Sequence, residues 1–119
     1  MPAELKSEKN TNTLKRALRA NPNDPFAWYA LGVSNYGKNQ MDEALQCFTK
    51  AEQVKQGFSA ANYYYIGVLQ QYMGRIDEAK QSFEKAAGLK AINVVDKKAR
   101  ALAQKMLVAS EDFVGDVFE

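Results

Sequence analysis

Residues 28–51, WYALGVSNYGKNQMDEALQCFTKA, return 35 positions later as YYYIGVLQQYMGRIDEAKQSFEKA, residues 63–86. Gly32 recurs as Gly67, Ala44 as Ala79, Phe48 as Phe83 and Ala51 as Ala86. A fixed period of this size restricts the chain to repeat architectures, in which one unit buries its apolar face against the next. Within the first copy, Trp28, Leu31 and Gly32 fall at i, i+3, i+4, and so share a helical face; Ala44, Phe48 and Ala51 do the same further on. Each copy therefore reads as two helices joined by a turn.

The two glycines weaken their helices by roughly 1 kcal/mol against Ala. That cost is explained if the partner helix crosses there, with Ala44, Ala51, Ala79 and Ala86 as the small residues opposite and Phe48 and Phe83 filling the gaps beside them. Asn39 and Gly74 stand where a left-handed residue ends a helix. Asp42, Glu43, Asp77 and Glu78 then fall in the first turn of the next helix, where the dipole favours negative charge.

These residues resemble the tetratricopeptide repeat (TPR) family. Its signature is an aromatic, then Leu-Gly, then Ala, an aromatic and Ala. Trp28, Leu31, Gly32, Ala44, Phe48 and Ala51 fit in one copy, and Tyr63, Gly67, Phe83 and Ala86 in the other. The resemblance implies an all-α, TPR-like helical repeat: two helix-turn-helix repeats, a flanking N-terminal helix and a C-terminal capping helix. The usual period is 34 residues, and the extra one is assigned to residues 56–59, with Phe58 expected to cover the hinge between the repeats.

Taken in order, residues 1–10 are polar and read as a flexible N-terminus. A helix is expected over 11–20, with Leu14, Ala17 and Leu18 as its stripe. Asn21 to Asp24 form a stop and turn, and Pro25 suits the first position of the next helix. Further helices are expected at about 25–38, 41–54, 60–73 and 76–88. These place the TPR domain at 11–110, with repeats at about 25–58 and 60–91 and a capping helix at 93–110. Asn93 can cap that last helix, whose stripe reads Val95, Ala99, Leu102, Met106, Ala109 and Phe113. Residues 111–119 form an acidic-aromatic tail.

A chain of 119 residues with 46% hydrophobic and 25% charged residues reads as one soluble domain. A net charge of +2 is too small to imply nucleic acid. The lone cysteine excludes an internal disulfide and favours a reducing, cytoplasmic setting. No apolar run is long enough for a transmembrane segment, and the first ten residues are too polar for a secretory signal. Without histidine, the commonest general base and metal ligand is missing. There is no glycine-rich phosphate loop, and the paired acids are explained by helix starts. No enzyme activity, cofactor or metal is therefore expected, and Cys47 reads as a small buried filler.

In TPR arrays the first helix of each repeat lines a concave groove. By resemblance, the lining comprises Phe26, Tyr29, Ala30, Val33 and Tyr36 from the first copy, with Tyr64, Tyr65, Val68 and Tyr72 from the second. Such a surface is aromatic and amphipathic, suited to a partner peptide or helix; against this, tyrosines also serve as packing between helices. Some TPR co-chaperones hold an acidic C-terminus with Lys, Asn and Arg, but here those positions carry Phe26, Ala30, Ala61 and Tyr65. The leading expectation is thus a non-catalytic adaptor that binds another protein.

Two other readings stay open. One is a structural or self-associating subunit that uses its end helices or its tail, with Asp112-Phe113-Val114 and Asp116-Val117-Phe118 as a short linear ligand for its own or a neighbour's groove. The other rests on residues 44–86, which also resemble the C-terminal repeats of the regulator of microtubule dynamics family. The shared features are the Ala-Glu-Gln-Val run at 51–54, Phe58-Ser59, Asn62 and the spacing of the helix at 94–110. That resemblance implies tubulin as a partner, with Lys97, Lys98, Arg100 and Lys105 as a basic docking face for an acidic polymer; the bland alternative is a solvated helix face. No aromatic residues interleave with these cations, so nucleic acid is not expected.

Overall fold

A computed structural model describes the backbone of residues 3–118 and the side chains of residues 10–109. Six helices follow one another among them: α1 (Ala3–Ala20), α2 (Pro25–Gly37), α3 (Met41–Val54), α4 (Ala60–Tyr72), α5 (Ile76–Gly88) and α6 (Val94–Phe118). The architecture is an all-α, TPR-like helical repeat. The chain divides into two compact units, residues 1–58 and 59–119.

In the first unit α2 packs on α3, and α1 packs on α2. Asp24 caps α2: its Oδ1 accepts from the backbone N–H of Phe26 at 3.0 Å and of Ala27 at 3.3 Å. Pro25 occupies the first helical position, where its missing N–H costs nothing. Leu18, Ala27, Leu31 and Cys47 form the core, with Leu14 and Trp28 packed against it.

The α1 stripe differs from the expected one. Thr11, Leu14 and Leu18 turn inward, whereas Ala17 is exposed. Thr11 is buried because its hydroxyl pairs with that of Ser34 on α2 at 2.6 Å, and that pairing satisfies a polar group inside the contact. The helix also starts at Ala3, eight residues before the expected Thr11; the side chains of residues 1–9 lie outside the described residues.

Gly32 sits directly under the Phe48 ring. A Cβ there would stand 2.7 Å from Phe48 Cε1, and one on Gly67 would stand 2.7 Å from Phe83 Cε1. The glycine therefore makes room for an aromatic ring of the partner helix rather than for its backbone. Asn39 (φ +63°) and Gly74 (φ +79°) are the left-handed residues that end α2 and α4. In the 55–59 loop Gly57 takes φ +70°, and its N–H donates to Glu52 Oε1 at 2.8 Å. Phe58 is buried, with its ring edge-on to Phe26 at 5.2 Å.

In the second unit α4 packs on α5, and α6 packs on both. Asn93 caps α6 as its sequence position implies, its Oδ1 accepting the Asp96 N–H at 2.8 Å. The buried face of α6, however, is Asp96, Ala99 and Ala103; Val95 and Leu102 of the expected stripe are exposed. Small side chains let the helix approach closely, and Asp96 is drawn inward by three donors. Its Oδ1 accepts from Ser59 Oγ at 2.7 Å and from the Ala61 N–H at 3.2 Å, and its Oδ2 from the Ile92 N–H at 3.3 Å. Asp96 thus provides from α6 the N-terminal cap of α4, where orphan N–H groups and the helix dipole both favour a carboxylate. Ser59 stands at the N-cap position of α4 and makes no side-chain capping bond of its own. The helix continues to Phe118, past the expected end at Ser110. The side chains of the tail fall outside the described residues.

Candidate partner-binding faces

The sequence points to residues on α2 and α4, and each row belongs to its own unit. On α2, Phe26 is 54% exposed, and Tyr29, Ala30, Val33 and Tyr36 are half-buried. On α4, Tyr64, Tyr65 and Val68 are half-buried, and Tyr72 is 71% exposed. Neither row is sealed in the core, so each presents aromatic edges and hydroxyl-bearing rings at a surface.

The geometry also assigns a packing role to two of them. Tyr29 leans on Phe48 with ring centroids 5.8 Å apart, and Tyr64 leans on Phe83 at 6.0 Å. Each repeat therefore contains the same three-layer stack: glycine, phenylalanine, tyrosine. Tyr29 also meets Phe58 at 6.5 Å, and Tyr64 meets Tyr65 at 5.8 Å. Tilted and edge-on pairs of this kind hold ring orientation. The exposed parts of Tyr29 and Tyr64 are thus pre-set, while Phe26 and Tyr72 stand furthest into solvent.

The spacing signature does not reveal a second conserved geometry between the two copies. Asn35 Nδ2 donates to Cys47 Sγ at 3.5 Å, and Ser82 Oγ donates to Gln70 Oε1 at 2.6 Å. Asn35 and Gln70 are 35 positions apart, as are Cys47 and Ser82, so the same polar tie joins the two helices of each repeat. The side chains differ in chemistry, which hides the correspondence from a match of residue types. Burial pushes the Cys47 thiol above its ordinary pKa, against smaller lowering effects from the Asn35 bond and Lys15. A thiol so held is a packing group rather than a nucleophile.

On α6 the four expected cations do not form one face. Lys97, Lys98 and Lys105 are exposed. Lys98 and Lys105, seven residues apart, share a side, beside the exposed Leu102 and Val95. Arg100 is half-buried on the packing side, and its Nε is enclosed without a hydrogen-bond partner among the described residues. Among the described residues no group of three or more His, Cys, Asp or Glu is placed to hold a metal ion. No helix there is long and apolar enough to cross a membrane.

Comparison with known proteins supplies the remaining facts. The peroxisomal targeting signal receptor of Saccharomyces cerevisiae is 39% identical over 56 residues, which cover 47% of this chain and 9% of that protein. The receptor of the same name from Candida glabrata is 36% identical over 56 residues, covering 47% of this chain and 10% of the receptor. This chain therefore spans about a tenth of the length of the curated relatives it matches. Residues 33–111 match the family described as Regulator of microtubule dynamics protein 1-3. That match extends well beyond residues 44–86 and takes in α3 to α5, the C-terminal end of α2 and most of α6. None of these names denotes an enzyme. Two thirds of this chain's length carries the family pattern, and the chain belongs to the regulator of microtubule dynamics protein 1-3 family.

Proposed function

We propose that this domain is a protein-binding module of a microtubule regulator, docking on an acidic polymer surface through the exposed lysines of α6. The family match over residues 33–111 is the observation that carries this reading, because it includes Lys97, Lys98 and Lys105. Tubulin is the partner that the family's description favours. Exposed lysines attract an acidic surface over about a Debye length, roughly 8–10 Å at physiological salt. Co-sedimentation with microtubules across a salt series tests the idea. Binding should fall steeply with salt and should fall again in a K97E/K98E/K105E variant that keeps the wild-type melting temperature. Equal pelleting of variant and wild type would sink the reading. Arg100 is left intact in that variant because its half-buried side chain would confound folding with binding.

A second reading assigns the α2 and α4 rows to an adaptor role, each row gripping apolar side chains of a partner segment. It rests on the aromatic residues that remain at the surface, Phe26 and Tyr72 above all. Affinity capture with mass spectrometry should lose the same partners from F26A and from Y72A. Tyr29 and Tyr64 are avoided because their rings support Phe48 and Phe83, and F26A must keep the wild-type melting temperature because the Phe26 ring packs edge-on to Phe58. An unchanged partner set in both variants would remove the adaptor reading.

A further inference from the structure

The first unit has an apolar cleft of about 430 Å3 that lies outside both aromatic rows, lined by Lys15, Leu18, Arg19, Pro22, Trp28 and Leu31. That volume is in the range of functional pockets. Its floor is already rigid. The Trp28 indole Nε1–H donates to the Pro22 carbonyl at 2.8 Å, which fixes the ring and leaves its apolar faces for packing. Leu18 and Leu31 are buried beside it. A preorganised aromatic floor of this kind binds without a large ordering cost. The rim is cationic: Lys15 and Arg19 are one helical turn apart on α1, and both are exposed. No carboxylate lines the cleft.

We propose that this cleft takes the C-terminal segment, residues 111–119, of a second copy of the chain. The segment carries Glu111, Asp112, Asp116 and Glu119 with no cation, and between them Phe113, Val114, Val117 and Phe118. Its charge is opposite to that of the rim, and its apolar residues suit the floor. The register agrees as well. Asp112 and Asp116 are four residues apart, as are Lys15 and Arg19. Both pairs belong to helices, α6 and α1, so each spans about 6 Å along its axis. The spacing of the two carboxylates thus matches that of the two cations, and the apolar residues of the segment supply the chemistry the floor calls for. The contact is heterologous, joining the tail of one copy to the cleft of the next, so it propagates along a row of copies unless the rotation closes a ring. It depends neither on α6 lysines nor on a microtubule, and therefore stands apart from the function proposed above.

The test uses the full chain and a charge swap. Light scattering over a concentration series should show wild-type mass rising beyond one chain, with a smaller rise at high salt. K15E/R19E alone should stay at the mass of one chain, and so should D112K/D116K alone. Mixing the two variants should restore association, because each tail then meets a cleft of opposite charge. Trp28 is the only tryptophan, so its emission should shift as association proceeds. Recovery in the mixture also shows that both variants are folded. A wild-type mass that does not change with concentration overturns the proposal. So does association of either single variant at the wild-type level, a mixture that stays at one chain, or association that leaves Trp28 emission unmoved.

Discussion

Ser59, at the start of α4, donates its hydroxyl hydrogen to Asp96 on α6 across 2.7 Å, and both residues are buried. The same carboxylate accepts the Ala61 and Ile92 amides. Asp96→Ala leaves a buried hydroxyl and a helix-start N–H without an acceptor. The expected loss is about 2–4 kcal/mol, since an unsatisfied buried partner of a charged group carries the full desolvation penalty. Asp96→Asn keeps an acceptor oxygen and should lose less. Urea denaturation of the two variants checks the order; equal and small losses would contradict the capping role.

Gly32→Ala should destabilise although Ala is the better helix former. The new Cβ would stand 2.7–2.9 Å from three atoms of the Phe48 ring, which is wholly buried. Overpacking of this kind costs typically about 1–3 kcal/mol, against about 1 kcal/mol gained in helix propensity. Adding Phe48→Leu should recover part of the loss, which a double-mutant cycle measures as coupling. Gly37→Ala is the control: a Cβ there meets nothing within 4 Å, and the substitution should be neutral or stabilising in thermal melts.

At the ends of α2 and α4 the same left-handed turn is made by different residues. Gly74→Ala should cost about 1–2 kcal/mol, the penalty of a left-handed conformation for a residue with a Cβ. Asn39→Gly should be nearly neutral, because relief of that penalty is offset by a freer unfolded chain. Melting temperatures that fall equally in both variants would refute the assignment.

Cys47 links stability to alkaline pH. Burial raises its pKa in the folded state above the ordinary thiol value. A raised folded pKa means that the stabilising contribution is complete below the unfolded value and is lost as pH rises through the folded one. Wild type should therefore lose more stability than Cys47→Ala between about pH 8 and 10, bracketing the ordinary thiol pKa near 8.5. Urea midpoints at matched pH check this. The native thiol should also react slowly with a disulfide reagent and quickly once unfolded.

The period of 35 made the four repeat helices legible almost to the residue, because small and aromatic residues recur wherever those helices touch. The left-handed positions were equally clear, since Asn39 and Gly74 are among the few residue types that take positive φ at little cost. The face of α6 was not. Counting apolar residues put Val95 and Leu102 inward, and a buried aspartate cannot be foreseen without knowing that Ser59 and two amides converge on it. Thr11 was missed for the same reason: its burial depends on Ser34, 23 residues away. In the rows on α2 and α4, residue type marked the aromatic surface. It could not separate Tyr29 and Tyr64, which are half-buried against phenylalanines, from Tyr72, which stands out into solvent, or from Phe26, which is exposed yet packs one edge on Phe58.

The Asp96 cap also bears on how the second unit opens to solvent. The Ala61, Ile92 and Asp96 amides belong to three separate parts of that unit, the first turn of α4, the loop before α6 and the first turn of α6, yet all are held by Asp96 and Asn93. Releasing one removes a partner from the others. In hydrogen exchange these amides should therefore share one opening free energy and lose protection together, as a single cooperative unit. Helix ends ordinarily fray separately, whereas the shared carboxylate ties the beginnings of α4 and α6 together as one latch.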